Sequence, residues 1–292
     1  MTIHKYLKNY SPLLLDGAMG TLLDKRGYSL PAPVWSAEVV ESDPEAVTQV
    51  HRDYLEAGAR ILTTATFRTT HYVYEKIGDP EKAESLTRRA VKCTRDAIEG
   101  QPDRFVAGSV APLEDCYRPD LVPDDEILYR EHRSQISWLT DAGVDCLLIE
   151  TMNTIREAET CARIAGELEI PAFVSFVCNS PESIISGESV TMGAEAVIPY
   201  EPLGVLVNCT TPELITALLG ELHSAVDHPL GAYANVGESE PEQGGTISGV
   251  ISPDRYGRYV RDWLRYNPVL VGACCGSTPD HIAHLHQLVS VA

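Results

Sequence analysis

Val269-Leu270-Val271-Gly272-Ala273-Cys274-Cys275-Gly276-Ser277-Thr278-Pro279-Asp280 runs from an apolar, strand-like segment into the start of a helix, with two adjacent thiols at the junction. Thr278, Pro279 and Asp280 supply a capping hydroxyl, a proline whose φ suits a first helical turn, and a carboxylate favoured by the helix dipole. The same order occurs earlier, in Val205-Leu206-Val207-Asn208-Cys209-Thr210-Thr211-Pro212-Glu213, where Cys209 holds the junction. Three thiols therefore fall at two strand ends.

Outward from these junctions, strand and helix alternate along the chain, the pattern that builds parallel sheets. Eight strands are expected at Leu13 to Leu15, Ile61 to Thr66, Phe105 to Ala111, Cys146 to Ile149, Ala172 to Val177, Val205 to Asn208, Leu230 to Ala234 and Val269 to Gly272. Between them lie amphipathic segments such as Val47, Val50, Tyr54 and Leu55, or Ile155, Ala158, Ala162, Ala165 and Leu168. Asp43-Pro44-Glu45, Asp79-Pro80-Glu81 and Ser252-Pro253-Asp254 repeat the cap, proline, acid order. The fifth unit is the weakest, with little more than one helical turn at Glu195 to Pro199. Eight such units in 292 residues, without a Gly-x-Gly-x-x-Gly phosphate turn, fit a single-domain (β/α)8 TIM barrel over residues 1–292 better than a doubly wound sheet. The longest turn-forming stretch, Asn179 to Gly193, lacks the composition of a tether and is a candidate lid.

Composition narrows the partners. Lys and Arg number 23 against 42 Asp and Glu, and the net charge of -19 repels nucleic-acid phosphates and anionic lipid. The apolar runs fall short of the roughly 20 residues that span a bilayer, and Met1-Thr2-Ile3-His4-Lys5 opens no signal peptide, so a soluble, cytoplasmic protein is expected. Eight cysteines are too sparse for a disulfide scaffold. Cys93, Cys146 and Cys161 read as small buried hydrophobes, whereas Cys116 and Cys178 receive no assignment.

Barrel active sites lie at the carboxyl ends of the strands, and alternate strands share an interior layer, so strands six and eight can aim Cys209, Cys274 and Cys275 at one point. Three thiolates would fill three corners of a zinc tetrahedron and leave the fourth for water or substrate. A redox pair at Cys274-Cys275 and simple buried thiols remain alternatives on spacing alone.

The chain resembles the homocysteine S-methyltransferase family. The resemblance rests on Leu15-Asp16-Gly17-Ala18-Met19-Gly20-Thr21, Leu148-Ile149-Glu150-Thr151-Met152, Val207-Asn208-Cys209, Tyr233-Ala234-Asn235-Val236-Gly237 and Gly272-Ala273-Cys274-Cys275-Gly276-Ser277-Thr278-Pro279. Val207, Ala273 and Ala234 depart from the Gly, Gly and Pro that the family often carries there. The resemblance implies a zinc-dependent enzyme, with Zn2+ on Cys209, Cys274 and Cys275, that methylates homocysteine to methionine. Gly17, Ala18 and Met19 would offer backbone N–H groups to the homocysteine carboxylate, Asp16 and Glu150 would take its ammonium, and Asn235 would orient the site.

A chain of 292 residues leaves little room for corrinoid or folate domains, so a small activated methyl donor is expected: S-methylmethionine, S-adenosylmethionine or betaine. Trp35, Phe67, Tyr72 and Tyr117 are candidates for its cationic centre, while Arg68 would oppose that cation unless it pairs with the donor's carboxylate. The alternative is a non-catalytic or partner-dependent barrel that binds zinc or thiols and receives methyl groups from a separate corrinoid protein. The sequence leaves any homo-oligomer undefined.

Overall fold

In a parallel barrel one set of alternate side chains enters the barrel and the other meets the helices, so a strand is apolar on both faces wherever neither reaches water. The computed structural model, which describes residues 1–9, 12–237, 247 and 249–290, shows this plainly. Its strands are β1 Leu13–Leu14, β2 Ile61–Thr63, β3 Phe105–Val110, β4 Cys146–Met152, β5 Ala172–Phe176, β6 Gly204–Asn208, β7 Leu230–Ala234 and β8 Leu270–Ala273. Every residue of β3 to β8 is buried.

The strands pair in parallel in the order β1-β8-β7-β6-β5-β4-β3-β2. Leu13 lies opposite Leu270, and a bridge from Leu15 to Ile61 closes the ring. The Asp16 N–H donates to Ile61 O at 3.1 Å across that closure. The fold is a (β/α)8 barrel, with helices between the strands.

Inside the barrel, side chains change character from one end to the other. At the amino ends Leu13, Phe105, Cys146, Phe173 and Leu270 form an apolar cluster. The N-terminal helix Ile3–Leu7 caps it, with the Tyr6 ring edge-on to Phe105 at 5.3 Å between centroids. Two or four residues beyond Ile61, Phe105, Cys146, Phe173 and Leu206 of that cluster stand Thr63, Ser109, Glu150, Ser175 and Asn208, all near the carboxyl ends. The apolar floor excludes water beneath these polar groups, so each needs a partner within the layer.

Three expectations about the elements change. β2 ends at Thr63 rather than Thr66, because Thr66 N–H turns back to Thr64 O at 2.8 Å and the Thr66 hydroxyl donates to Ser109 O at 2.8 Å. β4 runs to Met152 rather than Ile149, with a register shift between them and Thr151 at φ 60°. The fifth unit has a helix at Val190–Val197 followed by a 3-10 turn at Ile198–Tyr200. The Ser189 hydroxyl caps it by accepting from Met192 N–H, a start without the Pro-acid signal found elsewhere.

Asn179 to Gly193 is tied down by bridges from Cys178 to Ile184 and Ser183 to Ser189, with Ile184 fully buried. Cys93, Cys146 and Cys161 are buried as expected, as are Cys116 and Cys178. No helix of the described residues is long and apolar enough to cross a membrane.

Gly231 marks the tightest part of the inner layer: a Cβ there would sit 2.5 Å from Leu206 Cδ2 and 2.6 Å from Leu270 O. Gly231→Ala should cost about 1–3 kcal/mol by overpacking. A urea midpoint equal to that of the wild type would show that the β6–β8 wall yields.

Candidate metal centre and active site

Cys209 follows β6 directly and adopts φ 58°, a left-handed conformation rarely taken by residues other than glycine. Its N–H donates to Tyr233 O at 3.3 Å. The preceding Asn208 is fully buried; its Oδ1 accepts from Ser175 Oγ at 2.6 Å and from Thr151 N–H at 3.1 Å, and its Nδ2 donates to Thr151 Oγ1 at 2.9 Å. One amide thus fixes the ends of β4, β5 and β6 together, which holds the strained turn in place.

Cys274 and Cys275 follow β8. Cys274 N–H donates to Ala234 O at 2.7 Å, and Cys275 N–H to Asn235 Oδ1 at 3.1 Å. Gly276 turns at φ 81° and donates to Thr21 Oγ1 at 3.0 Å. These anchors bring Cys275 Sγ to 3.9 Å from Cys209 Sγ and 4.0 Å from Cys274 Sγ, with all three sulfurs within 4.8 Å of one another.

A tetrahedral ion with bonds of about 2.3 Å to sulfur requires S···S edges of about 3.8 Å, so the donor set and spacing suit a zinc-type site. Among the described residues no fourth His, Cys, Asp or Glu joins the group. Cys178, left without an assignment by the sequence, lies outside it.

Without a metal the sulfurs share charge unequally. Interaction with Cys274, and then with Cys275, holds Cys209 well below the usual thiol value, with Tyr117 and Asn235 adding to the effect. The Tyr117 hydroxyl lies 3.5 Å from Cys209 Sγ. Among the described residues the Asn235 Nδ2 has no hydrogen-bond partner of good geometry, so its effect is that of a nearby dipole. Cys274 and Cys275 are driven well above the usual value, foremost by the bonds they give to Cys209.

The three cysteines line a cavity of about 620 Å³ at the carboxyl ends of the strands. Asp16, Gly17, Ala18, Met19 and Glu150 line it too. Asn235 does not: it is fully buried behind Cys275 and positions the ligand loop. The Ala18 N–H is already given to Ser277 Oγ at 2.9 Å, which leaves its neighbours to face a ligand. None of residues 179–193 lines the cavity.

The two acids are both buried. Asp16 accepts from Thr63 N–H and Thr63 Oγ1, each at 2.9 Å, yet burial pushes its carboxyl up to about 8. Glu150 accepts from Ser109 Oγ at 2.5 Å and Tyr233 OH at 3.2 Å, and burial raises it to about 7. Thr63, Ser109 and Tyr233 were not singled out in the sequence. Their strand-end positions were the available signal, the alternation that selects inward residues.

Of the aromatic candidates, Trp35, Phe67 and Tyr117 line the cavity. Tyr72 does not; its hydroxyl donates to Glu114 at 2.7 Å and its ring lies under Lys76. Arg68 also lines the cavity, its guanidinium 4.9 Å from the Phe67 ring centre.

A family model described as homocysteine S-methyltransferase matches residues 13–289. The chain belongs to this family. It is 32% identical to homocysteine S-methyltransferase 2 of Zea mays, over 95% of this chain and 90% of that protein. It is 30% identical to a selenocysteine methyltransferase of Astragalus bisulcatus, over 95% and 92%. Among solved structures, the metallated form of the homocysteine methyltransferase MmuM from Escherichia coli superposes with a TM-score of 0.85 at 30% identity, covering 98% of this chain and 99% of that one. Val207, Ala234 and Ala273, where the chain departs from the usual family residues, are all buried strand positions and leave the sulfur triangle intact.

The raised acids predict how stability depends on pH in the absence of metal and substrate. Between about pH 4 and 8 the folded protein holds protons on Asp16 and Glu150 that the unfolded chain has released, so stability falls as pH rises through this range. Asp16→Asn should flatten that decline, measured as urea midpoints from pH 5 to 8.5. A variant with the wild-type slope would mean that Asp16 is ionised in the folded protein.

Proposed function

We propose that this chain transfers a methyl group from a small activated donor to the thiol of homocysteine, giving methionine, and that its resident metal is Zn2+. The observation that carries the reading is the sulfur triangle, with S···S edges of 3.9 and 4.0 Å and all three cysteines on the wall of a substrate-sized cavity. Cys209, Cys274 and Cys275 would hold the metal. Bound zinc supplies a Lewis acid at which a fourth, substrate thiol loses its proton.

The protein's own groups account for the remainder. Asp16 and Glu150 face the same cavity as the sulfurs, and a substrate ammonium placed between them would restore their ionised forms by supplying the charge that burial removed. The first-turn N–H groups around Gly17 and Met19 suit the substrate carboxylate. Cys209, Cys274 and Cys275 as thiolates would give the centre a net negative charge, which would keep a substrate sulfur electron-rich and would hold a neutral, methylated sulfur less strongly.

Trp35, Phe67 and Tyr117 offer ring faces to a sulfonium or quaternary ammonium donor of the S-methylmethionine, S-adenosylmethionine or betaine type. The selenocysteine methyltransferase among the relatives supports a selenol as a second acceptor. Eight free cysteines, three of them needed as thiolates, agree with a reducing compartment such as the cytoplasm.

The reading is tested by zinc content after metal-replete expression, together with homocysteine-dependent demethylation of a donor panel. One equivalent of zinc and turnover with a small donor are expected. Cys209→Ala should lose both, with the fold retained by circular dichroism. Zinc below about a tenth of an equivalent in folded wild type would overturn the site. Full zinc without turnover on any free donor would favour the barrel served by a corrinoid protein.

A further inference from the structure

Among the described residues Arg68 is a buried cation without a counter-ion. It is 9% exposed, and its Nη1 donates to Pro112 O at 3.0 Å and Glu114 O at 2.8 Å. Those two carbonyls use both hydrogens of that nitrogen. Among the described residues no hydrogen bond or ion pair involves its Nε or Nη2, and no carboxylate oxygen lies within 4.0 Å of the guanidinium. The nearby acids are committed elsewhere. Glu114 accepts from Lys76 Nζ at 2.5 Å and Tyr72 OH at 2.7 Å. Glu157 accepts from His132 at 2.8 Å and Leu113 N–H at 2.9 Å, and Asp115 accepts from Tyr117 N–H at 2.9 Å. A buried charge left in this state is costly unless a ligand completes it.

Arg68 lines the same cavity as the sulfur triangle, and Cys116, which also lines it, interacts electrostatically with both Arg68 and Cys209. The free edge of a guanidinium, one Nε–H beside one Nη2–H, fits the two oxygens of a carboxylate. Asp16 and Glu150 suit the acceptor's ammonium and the N–H groups around Gly17 and Met19 its carboxylate, which leaves Arg68 to serve the donor. We infer that Arg68 is a specificity residue that receives the carboxylate of the methyl donor, so that the donor is a small zwitterion with its onium centre toward the cysteines. This rests on the methyl-transfer reading above.

The transfer then balances. The acceptor thiol has released its proton, its sulfur forms a bond to the methyl carbon, and the bond from that carbon to the onium atom breaks. The electron pair returns to the onium atom, which leaves neutral while its carboxylate stays on Arg68. A methyl group arriving on a corrinoid partner would leave Arg68 without a counter-charge, so the arrangement favours a free donor.

The test is equilibrium binding by calorimetry to the zinc-loaded protein without acceptor, using S-methyl-L-methionine and the same sulfonium amine lacking its carboxylate. Wild type should bind the carboxylate-bearing compound about ten- to a hundredfold more tightly, the range expected for a charged hydrogen-bonded pair. Arg68→Gln should lose that preference and Arg68→Lys keep part of it, with homocysteine affinity unchanged in both. Equal binding of the two compounds, binding of neither, or a loss of homocysteine affinity in the variants would each overturn the assignment. The wild-type comparison stands even if the variants fail to fold. Discrimination without methyl transfer to homocysteine would sink the proposed reaction alone, and methyl transfer without discrimination would sink Arg68 alone.

Discussion

Three sulfurs held about 4 Å apart cannot all be thiolates without a cation between them. Each like-charged pair at that distance costs about 4 kcal/mol at an effective dielectric near 20. In the metal-free protein Cys209 is therefore held below the usual thiol value, and Cys274 and Cys275 above it. The backbone keeps the sulfurs together regardless: Cys209 hangs on Tyr233 O, Cys274 on Ala234 O and Cys275 on the Asn235 amide. All three anchors belong to β7 or the residue after it, the strand between the two that carry the cysteines. The barrel is the device that makes this triangle rigid before any ligand arrives.

The same logic governs the acids. Asp16 and Glu150 stand over an apolar floor, and burial outweighs the hydrogen bonds they accept from Thr63, Ser109 and Tyr233. Such groups lower the stability of the empty protein in exchange for affinity toward a cation, the usual relation between stability and a prepared site. On the proposed reading a substrate ammonium would relieve this cost, as a metal would relieve that of the sulfurs.

The eight-strand pattern was legible because the strands are almost wholly buried on both faces and read as short apolar runs, and four helices, those starting at Pro44, Pro212, Pro253 and Pro279, open with a capping residue and proline. The Val190–Val197 helix escaped because Ser189 caps it without a proline, and the end of β4 because a left-handed Thr151 lets the strand continue past an acid. Cys209, Cys274 and Cys275 were legible as a group once strands six and eight were counted. What the sequence could not show was partnership. Asn235 was expected to orient the site, and the structure turns its side chain to the Cys275 backbone rather than to the cavity. Tyr72 and Tyr117 looked equivalent, but only the latter faces the cavity.

The wall that carries Tyr117 explains why Arg68 combines a structural bond with a free edge. Leu113 to Arg118 is a loop whose backbone groups would be unsatisfied if nothing buried met them. Glu157 takes the Leu113 N–H, Asn153 gives its Nδ2 to Cys116 O at 3.0 Å, and Arg68 takes Pro112 O and Glu114 O. Lysine at position 68 could reach those carbonyls, since its ammonium has three donors. It could not also present a planar pair of N–H groups to the cavity while doing so. The choice of arginine is therefore unexplained by the loop alone and is accounted for by a carboxylate on its other edge.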